Sequence, residues 1–162
     1  DIIQFSGAVP GGTYSTDNIP SSSEPYPFVI RNNGNVRANI EIDERRSTTQ
    51  LNLGLFDNTN SRLKYWAEPT FPITGAIGYS SLDNCIPLTS DCFTSSPCNI
   101  RPDPTDTSCV IPFASAGRIL AISSLNYVDA TDEAFLHILI HIDNAEPAGT
   151  KNTIITITGS QT

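Results

Sequence analysis

Residues 134–159, AFLHILIHIDNAEPAGTKNTIITITG, decide the fold of this chain. The first part is apolar at every second residue, which is the period of a β-strand and not of a helix. These apolar positions are Leu136, Ile138, Ile140 and Ile142. A turn-forming segment around Pro147 and Gly149 follows, and then a β-branched run over residues 153–158. Because β-branched residues suit a pleated surface, the stretch predicts an antiparallel hairpin in an all-β protein.

The first 27 residues predict a strand and a long tether. Asp1–Val9 alternates in polarity and places Ile3, Phe5, Gly7 and Val9 on one side of a strand. Pro10–Pro27 is then a connector rich in Gly, Pro, Ser and Thr. Loops in compact domains usually have about 4–6 residues, and longer ones are functional segments or linkers. We therefore expect the first strand to be loosely tethered to a domain formed by residues 28–162.

The segment that follows the connector predicts a second hairpin. Phe28–Arg31 and Val36–Asp43 flank Asn33 and Gly34, which tolerate the positive φ angles of a tight turn. The inward positions are expected at Val36, Ala38, Ile40 and Ile42, and the solvent-facing ones at Arg37, Asn39, Glu41 and Asp43. Further strand patterns recur at short intervals with no helical segment between them, which is typical of a β-sandwich.

Composition limits the classes of partner. The chain of 162 residues fits one domain and carries a net charge of −8, which argues against nucleic acids and anionic membrane surfaces as partners. It contains no apolar run of the roughly 20 residues that span a bilayer. It begins at Asp1 without a leader sequence, and we interpret it as a mature, secreted, extracellular product.

Four cysteines lie in an irregular, proline-containing loop, residues 82–112: Cys85, Cys92, Cys98 and Cys109. An even number of cysteines in such a loop of a secreted protein predicts two disulfides. A zinc site is disfavoured because zinc ligands usually come in closely spaced pairs. Four cysteines permit three pairings, and we favour Cys85–Cys109 with Cys92–Cys98 nested inside it.

No pattern predicts catalysis, a cofactor or a metal site. His137 and His141 would lie about 13 Å apart on one strand face, too far apart to share an ion, and we expect both to be partly exposed. Two acidic clusters lack the EF-hand calcium pattern: Asp129, Asp132 and Glu133 in one, Asp103 and Asp106 in the other. No nucleophile elbow, zinc-protease helix or nucleotide loop occurs, so we expect a protein that is not an enzyme.

Tyr65 and Trp66 offer an alternative function, because adjacent aromatic side chains can form a platform on which sugars stack. Under this alternative the protein would be a monomeric, secreted module that binds carbohydrate or adheres to cell-surface glycans. Buried aromatics are more common than exposed ones, so the sequence leaves the question open.

Three segments resemble secreted archaeal immunoglobulin-like β-sandwich surface proteins: FVIRNNGNVRANIEI (28–42), NYVDATDEAFLHILIHID (126–143) and NAEPAGTKNTIITIT (144–158). The resemblance covers roughly residues 28–55 and 125–158. It implies an immunoglobulin-like sandwich in which the cysteine loop is an insertion. The chain also resembles a subset of these archaeal proteins that forms filaments and is similar to bacterial TasA-like fibre subunits and to archaeal bundling pili.

In those filament proteins an N-terminal strand completes the sheet of the next subunit. The resemblance therefore implies a head-to-tail polymer of identical copies, assembled through Asp1–Val9. Ile3, Phe5 and Val9 would fill groove pockets, and Gly7 would lie where space is tightest. The alternative is that this strand pairs within its own domain.

Overall fold

The computed structural model describes residues 2–16, 25–45, 55–56, 60–70, 78–80, 88–89, 100–105, 107, 109–112, 116–129 and 131–162. These residues form nine strands and no α-helix. The strands are β1 (Thr13–Ser15), β2 (Phe28–Arg31), β3 (Ala38–Arg45), β4 (Arg62–Pro69), β5 (Gly78–Ser80), β6 (Ile100–Pro102), β7 (Ile119–Leu125), β8 (Glu133–His141) and β9 (Ile154–Gln161). No helix in this part of the chain is long and apolar enough to cross a membrane.

Two antiparallel sheets make up the domain. In the front sheet, β8 is central, with β4 along one edge and β1 and β2 along the other. In the back sheet the order is β7-β3-β9, and β5 and β6 form a separate short parallel pair. The all-β, antiparallel, two-sheet architecture predicted from the sequence is therefore confirmed.

The core lies between the two sheets and uses the predicted strand periodicity. The inward positions of β8 and of the residue after it are all buried: Leu136, Ile138, Ile140 and Ile142. In the back sheet Ile40 and Ile42 of β3 face them within the same apolar cluster. Removing such side chains from water contributes roughly 1.5–3 kcal/mol each and is the main force that joins the sheets.

Both predicted hairpins are wrong in their pairing. β8 lies in the front sheet and β9 in the back sheet, and β2 and β3 are separated in the same way. The loop after β8 crosses between the sheets around Glu146, a buried carboxylate. Glu146 accepts hydrogen bonds from the Ser61 hydroxyl (2.9 Å) and the Lys151 ammonium (3.0 Å). Turn residues predict where a chain reverses, but they do not determine the sheet in which the next strand pairs.

The two edges of the sandwich differ. On one side β4 contacts β7 across the sandwich, which closes that side with two strands. The other side is therefore bordered by β1 and β2 in the front sheet and by β9 in the back sheet. We call it the open side.

Candidate functional site

The N-terminal arm, residues 2–9, is not the strand that the sequence predicts. Ile3, Phe5 and Ala8 are half-buried against the apolar core. No backbone hydrogen bond joins residues 2–8 to another residue that the structure describes. The apolar alternation thus correctly predicts the half-buried positions of Ile3 and Phe5, but not those of Gly7 and Val9, which are exposed. The arm has no partner strand along its main chain among the described residues.

Gly7 and Val9, two of the four predicted assembly residues, are exposed in the single copy, and their places in the groove of a neighbour stay a prediction. A Cβ added at Gly7 would meet no atom within 4 Å in the single copy. The φ of Gly7 is 74°, and the arm turns at this residue. Val9 is 56% exposed, and Ile2, at 91%, is more exposed still.

A glycine joint connects the arm to β1. The Gly11 amide donates to the carbonyl of Ile142 (2.8 Å), and the Gly12 carbonyl accepts from the amide of Ile142 (2.9 Å). The Gly12 amide also donates to Val9 (3.1 Å), which closes a tight turn. Gly11 has a φ of 81°, which a residue with a Cβ rarely adopts. The main chain is therefore bonded to β8 from Gly11 onward. Just before it, the Val9 amide donates to the Tyr14 hydroxyl (3.1 Å), whereas residues 2–8 make no backbone hydrogen bond to the described residues.

The predicted connector contains the first strand. β1 pairs with the end of β8, with Thr13 opposite His141 and Ser15 opposite Leu139. Thr16 continues the ladder with both its backbone and its side chain. Its backbone amide donates to the Ile138 carbonyl (3.0 Å), and its side-chain hydroxyl accepts from the Ile138 amide (3.0 Å). Residues 17–24 lie outside the described part of the chain.

The chain rejoins the same edge of β8 at β2, where Phe28 lies opposite Leu136. β1 and β2 are therefore two fragments of one edge. Two residues of β8 lie between these fragments: Ile138, which bonds to Thr16, and His137.

His137 is 1% exposed, so the expectation that it is partly exposed is wrong. Its Nε2 lies 2.9 Å from Glu68 Oε1, and its Nδ1 lies 3.2 Å from the Thr16 hydroxyl. In a neutral imidazole the arrangement that satisfies both partners has Nε2 donating to the Glu68 carboxylate and Nδ1 accepting from the Thr16 hydroxyl. The Trp66 ring stacks on the imidazole at 4.5 Å between centroids and 9° between planes. The ring is thus fixed on three sides.

His141 makes the corresponding contact at the other end of β1, where its Nδ1 lies 3.0 Å from the Thr13 hydroxyl. Both histidines of the chain therefore bind a threonine that flanks or belongs to β1. We call these two pairs the threonine–histidine contacts. Sequence reasoning missed them because the partners are separated by more than 120 residues, and no local pattern connects them.

The outer face of the front sheet is covered, which explains why His137 is buried. Lys64 of β4 is fully buried on that face, and its ammonium group donates a hydrogen bond to the backbone carbonyl of Asp103. The segment after β6 therefore lies over β4. Of the odd positions of β8, His137 and Leu139 are therefore buried, whereas Glu133, Phe135 and His141 are partly exposed.

Tyr65 and Trp66 do not form the aromatic platform of the alternative prediction. Tyr65 is 1% exposed and faces the core, and burial raises the pKa of its hydroxyl. Trp66 is 4% exposed and stacks on His137. Neither ring presents a face on which a sugar can stack.

The acidic cluster at the start of β8 surrounds an arginine. Arg31 lies 3.1 Å from Asp132, 3.6 Å from Asp129 and 4.0 Å from Glu133. The hydrogen bond to Asp132 and the charges of all three carboxylates raise the pKa of Arg31. Neither these three carboxylates nor any other group of three histidines, cysteines or acidic residues in the described ranges is placed so that it could hold a metal ion. Of the second acidic pair, Asp103 accepts from the Thr105 amide and hydroxyl, both at 2.8 Å, and Asp106 lies outside the described residues.

The cysteine predictions are largely outside the described residues, because Cys85, Cys92 and Cys98 lie there. Cys109 is buried at 8% exposure with a φ of 54°, and its carbonyl accepts from the Tyr65 amide (3.1 Å). It thereby anchors one end of the cysteine loop to β4. The two disulfides stay a prediction.

Comparisons with protein-family models, with curated proteins and with solved structures gave no match.

Proposed function

We propose that this chain is a structural subunit of an extracellular filament or surface layer, and that it polymerises by exchange of its N-terminal arm. In this proposal the sandwich is immunoglobulin-like, and the cysteine loop is an insertion stiffened by disulfides. The observation that carries it is the arm itself: half-buried apolar side chains and a main chain with no ladder to the described residues. The protein's partners are further copies of itself, and it performs no catalysis.

Exchange changes the energy of side chains and main chain differently. The contacts of Ile3, Phe5 and Ala8 are lost from one copy and regained in the next, so they contribute little to the balance. A strand of eight residues added to a sheet gains roughly eight backbone hydrogen bonds, at about 0.5–1.5 kcal/mol each. Association costs about 4–15 kcal/mol, so the ladder and any new apolar burial together decide whether the polymer forms.

The symmetry of the contact determines the shape of the product. One copy gives its arm and accepts another through a different surface, so the contact is heterologous. Heterologous contacts that do not close into a ring produce filaments. The exposed Ile2 and Val9 at the two ends of the arm are available to be buried in such a contact.

Electron microscopy of the full chain beside a form lacking residues 1–9 tests the proposal. Filaments or ordered sheets are expected from the first and dispersed particles from the second. Phe5→Asp should also abolish assembly, because it places a charge in an apolar contact.

The matched control is Gln4→Asp, which adds the same charge at the exposed position next to Phe5 and should still assemble. Dispersed particles from the full chain at every concentration, or filaments from the form without its arm, contradict the proposal.

A further inference from the structure

We propose that the acceptor of the exchanged arm is the outer edge of β9, and that its occupant is residues 2–9 of a second copy. The inference rests on the proposed function and names the surface that the function requires. It follows from the pairing of each described strand edge, the position of β9, and the composition of the two segments.

β9 presents a long edge without a ladder. It pairs with β3 along all eight of its residues, from Ile154 to Gln161, and with no other described strand. In a strand, successive residues direct their backbone groups to opposite edges, so every second amide and carbonyl of β9 points away from β3. Such an edge is a template for an added strand.

The other described edges are short or already occupied. The outer edge of β7 is bonded to Leu88, whose amide donates to Ala121 (3.0 Å) and whose carbonyl accepts from Ser123 (2.7 Å). The outer edge of β4 is bonded to residues 109–111. β1 and β2 have three and four residues and are interrupted between them. Among the strands of the two described sheets, β9 thus has the longest free edge.

Its position also fits. β9 borders the open side of the sandwich, opposite β1, and the arm directly precedes β1 in the chain. The arm's apolar side chains pack against the same core cluster as Ile155 and Ile157, the partly buried inward residues of β9. The apolar side chains of the arm therefore match the apolar surface at the open side of the sandwich.

The composition of both segments matches strand addition. β9, IITITGSQ, has no charged residue and no proline, although exposed edges usually carry such residues to prevent pairing. The arm, IIQFSGAV, has neither as well and is equally long. With Ile3 and Phe5 directed to the core beside Ile155 and Ile157, the polar Gln4 and Ser6 face outward beside β9's threonines.

The occupant is a second copy because the arm within its own chain is not extended. It turns at Gly7 and is fixed at the glycine joint by both hydrogen bonds to Ile142. Released and extended, residues 2–10 reach about 30 Å, which is enough to lie along an eight-residue strand of a neighbouring molecule.

Hydrogen exchange of the full chain, recorded as monomer and after assembly, tests the inference residue by residue. In the monomer every second amide of residues 154–161 should exchange rapidly, because only the alternate ones bond to β3. In the polymer the rapid set should slow by at least about tenfold, together with amides of residues 2–9. If the arm becomes protected while these β9 amides exchange as fast as in the monomer, the inference is overturned and the proposed function is left intact.

Cross-linking gives a second readout. Copies with Ser6→Cys are mixed with copies carrying Thr158→Cys, and the expected product is a covalent dimer whose linked peptides contain both positions. The matched control is Ser123→Cys on β7, whose edge Leu88 occupies, and it should form no such dimer. Equal cross-linking at both positions also overturns the inference. A full chain that never assembles contradicts the proposed function and this inference with it.

Discussion

Thr16 is the residue at which the structure makes its sharpest energetic prediction. Its hydroxyl accepts from the Ile138 amide and donates to His137 Nδ1, at 3.0 and 3.2 Å. All three residues are at most 2% exposed. Thr16→Val keeps the shape of the side chain and removes only the hydroxyl.

The magnitude follows from the two groups left without a partner. A buried donor or acceptor that loses its hydrogen bond costs about 1–3 kcal/mol. The Ile138 amide and His137 Nδ1 together therefore cost about 2–6 kcal/mol, a large share of the 5–15 kcal/mol that is typical of a whole domain. For a domain of this length each kcal/mol lowers Tm by about 2–4 °C. The expected decrease is thus about 4–24 °C, and we expect a value near the middle.

Urea and thermal unfolding of Thr16→Val, Thr16→Ser and the parent protein measure the effect. Thr16→Ser keeps the hydroxyl and loses one methyl group, so it should lose about 1 kcal/mol. The ¹⁵N chemical shifts of His137 give an independent readout, since Nδ1 loses its donor only in Thr16→Val. If Thr16→Val is as stable as Thr16→Ser, the contact does not hold β1 in the way described.

Three further outcomes are expected. Lys151→Met should destabilise the domain by about 3–5 kcal/mol in urea unfolding, because it leaves the buried Glu146 carboxylate without its cation; Lys151→Met combined with Glu146→Gln should recover part of this loss, and no recovery would contradict the pairing. The pKa of Tyr65 is raised above its ordinary value of 10.0. Above pH 10 the native state therefore keeps a proton that the unfolded chain releases. The free energy of unfolding should then fall by about 1.4 kcal/mol for each further pH unit. Tyr65→Phe should lose this part of the alkaline slope, and an unchanged slope between about pH 9 and pH 11.5 would refute the assignment. Assembly monitored by light scattering should be faster at high salt, since the charge of −8 per copy opposes association until it is screened; slower assembly in salt would indicate attraction between charges at the contact.

The sequence predicts local structure well where one face of a strand is enough to decide it. The inward positions of β8, and Ile40 and Ile42 of β3, were predicted by the period of two alone, because the core selects one face of each strand. Asp43 and His137 were expected in contact with water, and both are buried. Each is covered by residues distant in the chain: Arg118 bonds to Asp43 at 3.1 Å, and Glu68 to His137. Local periodicity contains no information about such partners.

Strand pairing was the less predictable part. The residues around Gly34 and Pro147 were interpreted as hairpin turns, but both connections cross between sheets. Asn32 shows why: its side-chain amide donates to Val36 (2.8 Å) and to Leu125 of β7 (3.0 Å). One bond is local and typical of any turn, whereas the other joins the turn to a strand of the back sheet. The second bond depends on the assembled domain, and so turn chemistry alone predicts the wrong partner.

The arm and β1 are held to the domain by different contacts, which matters for the proposed assembly. The threonine–histidine contacts and the ladder of β1 hold the edge of β8 independently of residues 2–8. Release of the arm therefore removes the contacts of three half-buried side chains and leaves both sheets paired. A copy that has given up its arm keeps its core, with β9 free along its outer edge among the described strands. Under the proposed assembly such a copy would stay folded and could accept an arm, which is the property that head-to-tail growth requires of every subunit at a filament end.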